Sequence, residues 1–200
     1  MKETVAATVA ALLLAPGLSE ANEWKVDPSH TTAGFAIQHL VIAKVRGEFN
    51  KVQATVVLDE KAPERLSVEA SIDVASINTR DEKRDEHLRS PDFFDVAKFP
   101  QATFKSSRVT RVSRGYKVEG QLTLHGITRP LTLDVVGLDQ EVKDPWGNTK
   151  RAGTATGVVK RKDFGIVWNK TLDTGALALG DDVQLTIDFE LTKVVAPLAK

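Results

Sequence analysis

The chain has 200 residues, 27 basic against 27 acidic side chains, and no cysteine. That length fits one domain, the lack of cysteine excludes disulfides and thiolate metal sites, and the balanced charge argues against a nucleic-acid protein, which carries a basic surplus.

At the start of the chain, Lys2 precedes an apolar run from Val5 to Leu14, followed by Pro16, Gly17 and the small-x-small sequence Ser19-Glu20-Ala21. This predicts a secretory signal peptide over residues 1–21, cut after Ala21, because the run is shorter than the ~20 residues a membrane span needs. Cleavage there removes one base, Lys2, and two acids, Glu3 and Glu20, leaving a single excess positive charge. The expected location is the periplasm, with residues 22–200 as one domain held by its core alone.

After Trp24 the dominant signal is a period of two, the mark of half-buried strands. Strands are expected at 33–41 and 45–50. Val52, Ala54, Val56 and Leu58 then alternate with polar neighbours, as do Leu66, Val68, Ala70, Ile72 and Val74. Residues 101–112 form another expected strand. Tyr116, Val118, Leu122 and Leu124 share one parity against Lys117, Glu119, Gln121, Thr123 and His125. Two more strands are expected at 129–138 and 152–161. The last is the cleanest: Val183, Leu185, Ile187, Phe189 and Leu191 face one way, and Gln184, Thr186, Asp188, Glu190 and Thr192 the other. The total is about eight to nine one-sided strands, which implies an antiparallel sheet with one wet face. A closed up-and-down barrel and a two-sheet sandwich both satisfy the pattern. Long strands, short connections and the removal of exposed edges favour closure.

Residues 79–96 break the alternation. Arg80, Arg84, His87 and Leu88 fall on helical spacing, Ser90-Pro91 ends the turn, and Ser90 or Asp92 can cap a second turn through Phe93 and Phe94. A short helical crossover over the barrel's mouth or end is predicted. Asp81–Arg84, Lys83–Glu86 and Asp85–Arg89 are opposite charges three or four apart, which predicts a solvated, salt-bridged turn. Arg80, Arg84 or His87 would meet an anionic or polar head group if the crossover lies at an opening.

The inward parity carries mostly Val, Leu, Ile and Ala, which can either fill an eight-stranded barrel or leave a tube for one elongated ligand. In a tube, each buried methylene contributes about 0.8 kcal/mol. The four histidines, His30, His39, His87 and His125, show no H-x-x-x-H or H-E-x-x-H spacing, so a zinc site could only come from distant convergence. Asp163-Phe164-Gly165 stands without a phosphate loop or catalytic loop, and Ser29-His30 stands without a nucleophile elbow. Neither argues for an enzyme.

Three stretches together resemble the YceI-like family of lipid- or polyisoprenoid-binding, lipocalin-like barrels. The first is Asp27-Pro28-Ser29-His30-Thr31-Thr32-Ala33-Gly34-Phe35, with His39 and then Val45-Arg46-Gly47-Glu48-Phe49 following. The second runs from Arg84 to Asp95, then Phe99-Pro100 and Thr103-Phe104. The third is Gly120-Gln121-Leu122-Thr123-Leu124-His125-Gly126-Ile127-Thr128, with Arg161-Lys162-Asp163-Phe164-Gly165-Ile166 later. Order and spacing agree over residues 24–193. Thr31 stands where the family often has serine, which keeps the hydroxyl.

The resemblance implies an all-β fold: an extended eight-stranded antiparallel lipocalin-like barrel with a short helical crossover near residues 80–96. It also implies a non-enzymatic, exported protein that encloses the tail of an isoprenoid or similar amphiphile. Some members are associated with isoprenoid quinones, with acid or osmotic stress, and with cytochrome b561-like membrane proteins. The expected ligand-binding residues are Phe35, His39, Phe49, Arg84, His87, Tyr116, Leu122 and Phe189. No cofactor is expected beyond a bound isoprenoid lipid or quinone, and no nucleic acid. The partners considered are a transient membrane or cytochrome b561-like protein and an isologous homodimer. The competing reading is a metal-binding protein or metal-dependent enzyme using the histidines.

Overall fold

A computed structural model describes residues 22–59, 62 and 65–195; the expected signal peptide lies outside them. Twelve strands share one sheet. In chain order they are β1 (Asn22–Val26), β2 (Thr32–His39), β3 (Ala43–Phe49), β4 (Val52–Leu58), β5 (Ser67–Asp73), β6 (Ile77–Asn78), β7 (Gln101–Val112), β8 (Gly115–Leu124), β9 (Ile127–Val136), β10 (Val142–Lys143), β11 (Thr149–Lys160) and β12 (Leu179–Lys193), with one helix, α1 (Glu82–Arg89), between β6 and β7. None of the described helices is long and apolar enough to cross a membrane.

Pairing reduces the twelve strands to eight staves. On one edge, β12 runs the full length of β11, from Thr192↔Lys150 to Asp182↔Lys160. On its other edge it pairs first with β1 through Leu191↔Val26 and then with β2 from Asp188↔Thr32 to Leu179↔His39. β1 and β2 are therefore two halves of one bent stave. By the same logic β3 lies on β2 while β4 lies on β1, and β5 lies on β4 while β6 lies on β3. β7, β8, β9 and β11 complete the ring, every pair antiparallel, to give a closed eight-stranded barrel. The tally of eight to nine strands was right in kind, but it missed β1, β6 and β10. Those segments are too short for a period to show.

The bends have local causes. Pro28 has no N–H for a ladder, and Asp27 folds its carboxylate onto the Ser29 N–H at 3.0 Å. A single 3-10 turn over Val74–Ser76 separates β5 from β6, with Asp73 accepting from the Ala75 N–H.

The crossover is helical as expected, but for different reasons. Asp81 caps α1 by accepting from the Arg84 N–H at 3.0 Å, and Ser90 ends it; residues 91–94 form a turn, not a second helical turn. None of the expected ion pairs forms among the described residues. Asp85 is buried and accepts from the Thr79 N–H at 2.9 Å and from the Thr79 hydroxyl. Arg84 donates to the Thr79 hydroxyl and carbonyl, and Arg89 to the carbonyls of Ala75 and Ile77. The carbonyls of Ala75, Ile77 and Thr79, which flank and include β6, hold these two cations, and an exposed ion pair would contribute little in their place.

Candidate ligand-binding site

The staves carry side chains into the lumen at every second position, and burial along them is graded. At one end Trp24, Leu58, Leu66, Tyr116, Val118, Leu138 and Leu191 are buried and pack together. The Arg151 guanidinium lies 5.1 Å from the Trp24 ring centroid and donates to the Leu138 carbonyl at 2.8 Å, sealing that end. Toward the other end, inward-facing Val68, Ala70, Leu122, Leu185, Ile187 and Phe189 are only half-buried. Side chains that face inward and still keep free surface must border a space.

That space is a cavity of about 170 Å³, walled from Leu66 and Leu138 at the sealed end to Phe35 and Phe49 at the other. At roughly 30 Å³ per water-sized group it holds about six methylene-sized groups. Thr31 and Thr103 are the only hydroxyl-bearing residues on a wall otherwise made of aliphatic side chains, glycine and phenylalanine. The Thr31 hydroxyl already accepts from the Glu190 N–H. Water has few partners here, and alkyl groups lose nothing by entering.

Two glycines keep the tube clear. A Cβ on Gly47 would lie 2.5 Å from Phe35 Cζ, and one on Gly120 would lie 2.5 Å from Phe104 Cζ. Each ring thus occupies the place that a side chain on the glycine would need.

The end opposite Trp24 is roofed by the crossover. Phe94 stacks edge-on to Phe49 at 5.9 Å, and Phe49 meets Phe35 at 5.6 Å. Phe93 and His87 both pack on Trp168 at 5.1 Å, and Phe99 lies against His125 at 4.7 Å. The 3-10 turn Arg161–Phe164, which contains the Asp-Phe-Gly triplet, buries Phe164 and ends at Gly165 with φ 75°. The His125 Nδ1 lies 3.0 Å from the Phe164 carbonyl. This triplet is part of the roof.

Of the eight expected ligand residues, Phe35, Phe49, Leu122 and Phe189 line the cavity. The structure places the other four elsewhere. Tyr116 belongs to the sealed end, its hydroxyl accepting from Arg111 at 2.8 Å. His39 sits at the far end of β2, paired with Ala43 and Leu179. Arg84 is engaged by Thr79, and His87 is wedged between Phe93 and Trp168 with Nε2 2.9 Å from Asp92. Ala33 and Phe104 are wall residues that were not singled out; strand parity marks them, but nothing distinguishes them chemically.

The histidines do not assemble a metal site by themselves. Among the described residues the one grouping of three potential ligands is Asp27, His30 and Glu190, whose ligand atoms lie within 4.8 Å of one another. Lys150 Nζ already stands between the carboxylates, 2.8 Å from Asp27 and 2.9 Å from Glu190. Its hydrogen bond, with that of Ser29, holds the Asp27 carboxyl well below the usual carboxylate range. Asp27 and Glu190 in turn raise the Lys150 pKa. The ammonium supplies the positive charge a metal would, and it clamps the bent first stave to β11 and β12.

A closed antiparallel barrel with one sealed end and an apolar lumen under an aromatic roof is a small-molecule-binding β-barrel of the lipocalin-like kind. Residues 24–191 match the YceI-like domain, and the chain belongs to that family. It is similar to a UPF0312 protein of Serratia proteamaculans, 39% identical over 95% of this chain and 97% of the relative. It is likewise similar to Protein YceI of Salmonella newport, 38% identical over 94% and 96%. Among solved structures, BcnA of Burkholderia cenocepacia superposes with a TM-score of 0.70 at 25% identity, covering 82% of this chain and 98% of BcnA. A polyisoprenoid-binding domain from Saccharophagus degradans shares the fold at 14% identity, with a TM-score of 0.58 over 86% of this chain and 98% of that domain.

Proposed function

We propose that this protein binds a long-chain amphiphile, an isoprenoid or a lipid of similar build, with the tail in the lumen and the head group toward the crossover. The observation that carries the reading is the wall itself: a tube of aliphatic and phenyl groups offers no directional chemistry, so it selects for apolar length. About six buried methylene-sized groups contribute on the order of 5 kcal/mol before the costs of ordering ligand and protein. A tail longer than the cavity would have to displace side chains such as Phe49 and Phe94 under the roof.

With residues 1–21 directing export, the protein would work in the periplasm as a carrier or buffer, not as an enzyme. Family membership supports a binding barrel, and the polyisoprenoid-binding domain of like fold supports the ligand class. The test is solvent extraction of purified protein followed by mass spectrometry, together with uptake of prenyl-chain lipids by delipidated protein. Co-purification or uptake of a prenyl or long alkyl chain is the expected result. A clean extract with no uptake overturns the proposal.

A further inference from the structure

The hairpin that joins β2 to β3 extends beyond the cavity wall. From Phe35, the outermost β2 residue lining the lumen, five further residues lead to Leu40, ~17 Å of extended chain. At the tip, Leu40, Val41 and Ile42 are 38%, 61% and 87% exposed. Leu40 and Val41 also take left-handed φ values of 52° and 67°. Three residues, 40–42, turn the chain between the paired His39 and Ala43; consecutive left-handed residues in a hairpin turn are ordinarily Asn and Gly, and a β-branched residue at positive φ is strained. Backbone preference and water both oppose these residues, so local folding gives no reason for them.

Two further observations bear on what covers the tip. The Leu40 N–H donates to the Ala178 carbonyl at 2.7 Å, so the neighbouring segment brings exposed Leu177 to the same rim. Behind the tip, the outward face of β3 carries Lys44 and Arg46, both exposed. Lys44 Nζ meets only the neutral Gln184 amide, at 3.0 Å, and no carboxylate pairs with Lys44 or Arg46 among the described residues. An apolar tip backed first by these two cations, with the acid Glu48 on the same face further from the tip, is the arrangement that inserts at the head-group boundary of an anionic bilayer.

We infer that the Leu40-Val41-Ile42 turn is a membrane-docking element that seats the crossover end of the barrel on an anionic lipid surface. The inference rests on the lipid-binding reading, because it gives the tail a short apolar route between bilayer and lumen. The partner is the bilayer; a second copy of the chain is the competing occupant.

The test is flotation of the chain from Asn22 onward, which contains every barrel strand and lacks the apolar run 5–14, with vesicles of phosphatidylglycerol and phosphatidylethanolamine. Wild type is compared with Val41→Asn/Ile42→Ser. Asn accepts left-handed φ, so the variant should melt no lower than wild type while vesicle binding falls about tenfold or more. Lys44→Gln/Arg46→Gln should weaken binding and remove its salt dependence, about fivefold per charge. Farnesol uptake from solution should be the same in all three proteins. No flotation of wild type, equal flotation of wild type and Val41→Asn/Ile42→Ser, or a wild-type dimer lost in that variant without flotation would each overturn the inference. Flotation that depends on the tip, with no farnesol uptake by any protein, would instead sink the carrier reading and leave the docking surface standing.

Discussion

Ala70→Phe tests whether the lumen holds the ligand. Ala70 faces inward on β5, in register with Ala54 on β4 and Phe104 on β7, and lines the middle of the cavity. A phenyl ring added there takes up about four of the roughly six methylene-sized positions. At about 0.8 kcal/mol for each methylene excluded, tail binding loses ~3 kcal/mol, or roughly 200-fold in Kd. The ring enters a void, so the melting temperature should hold or rise. Competition of a fluorescent fatty-chain probe by a prenyl alcohol measures the first quantity and calorimetry the second. Unchanged affinity in a folded variant would place the ligand elsewhere. A fall of many degrees would mean that the lumen is already packed and the ring has strained it.

The ionic clamp at the first bend sets a pH dependence. Asp27 has a depressed pKa, so its stabilisation is present above the unfolded value near 4 and is lost as pH falls through the folded value; Lys150, with a raised pKa, contributes below about 10.4 and loses its share as pH rises through its folded value. Asp27→Asn should therefore flatten the acid limb of a stability profile, and Lys150→Met should cost about 2 kcal/mol at neutral pH by leaving two carboxylates facing each other; urea titrations from pH 3 to 8 check both. Asp85→Ala strands the buried Thr79 N–H and loosens the crossover, for about 2 kcal/mol and ~4–8 °C in Tm. Hydrogen exchange should rise at residues 77–89 while the sealed end stays protected; uniform loosening would contradict the division of the barrel into a packed end and a roofed end.

The strands were legible where one face is buried over many residues. Val183 to Thr192 alternates without a fault because Leu185, Ile187, Phe189 and Leu191 all border the lumen, and Leu122 follows from the same kind of parity, whereas Phe35 and Phe49 were marked by the family resemblance. Parity gives the face but not the depth, so Tyr116 shares the parity of Leu122 yet packs at the sealed end. The three bent staves were not legible, because the partners that define them, such as Trp24 with Lys193, lie almost the whole chain apart. Arg84 and His87 misled for a chemical reason. Their charge suggested a head group, but carbonyls and aromatic rings of the chain itself already satisfy them.

The position of β12 bears on how the chain reaches its fold. This strand is the last of the described strands in chain order, yet it forms the edges against which β11 and both halves of the first stave must pair. Contacts of such large sequence separation make closure slow, on the order of milliseconds to seconds. Until β12 arrives, β1 and β2 have no partner on that side and the sheet stays open at both edges. Barrel closure is thus the last pairing event that the topology allows, and it rests on one strand holding three others.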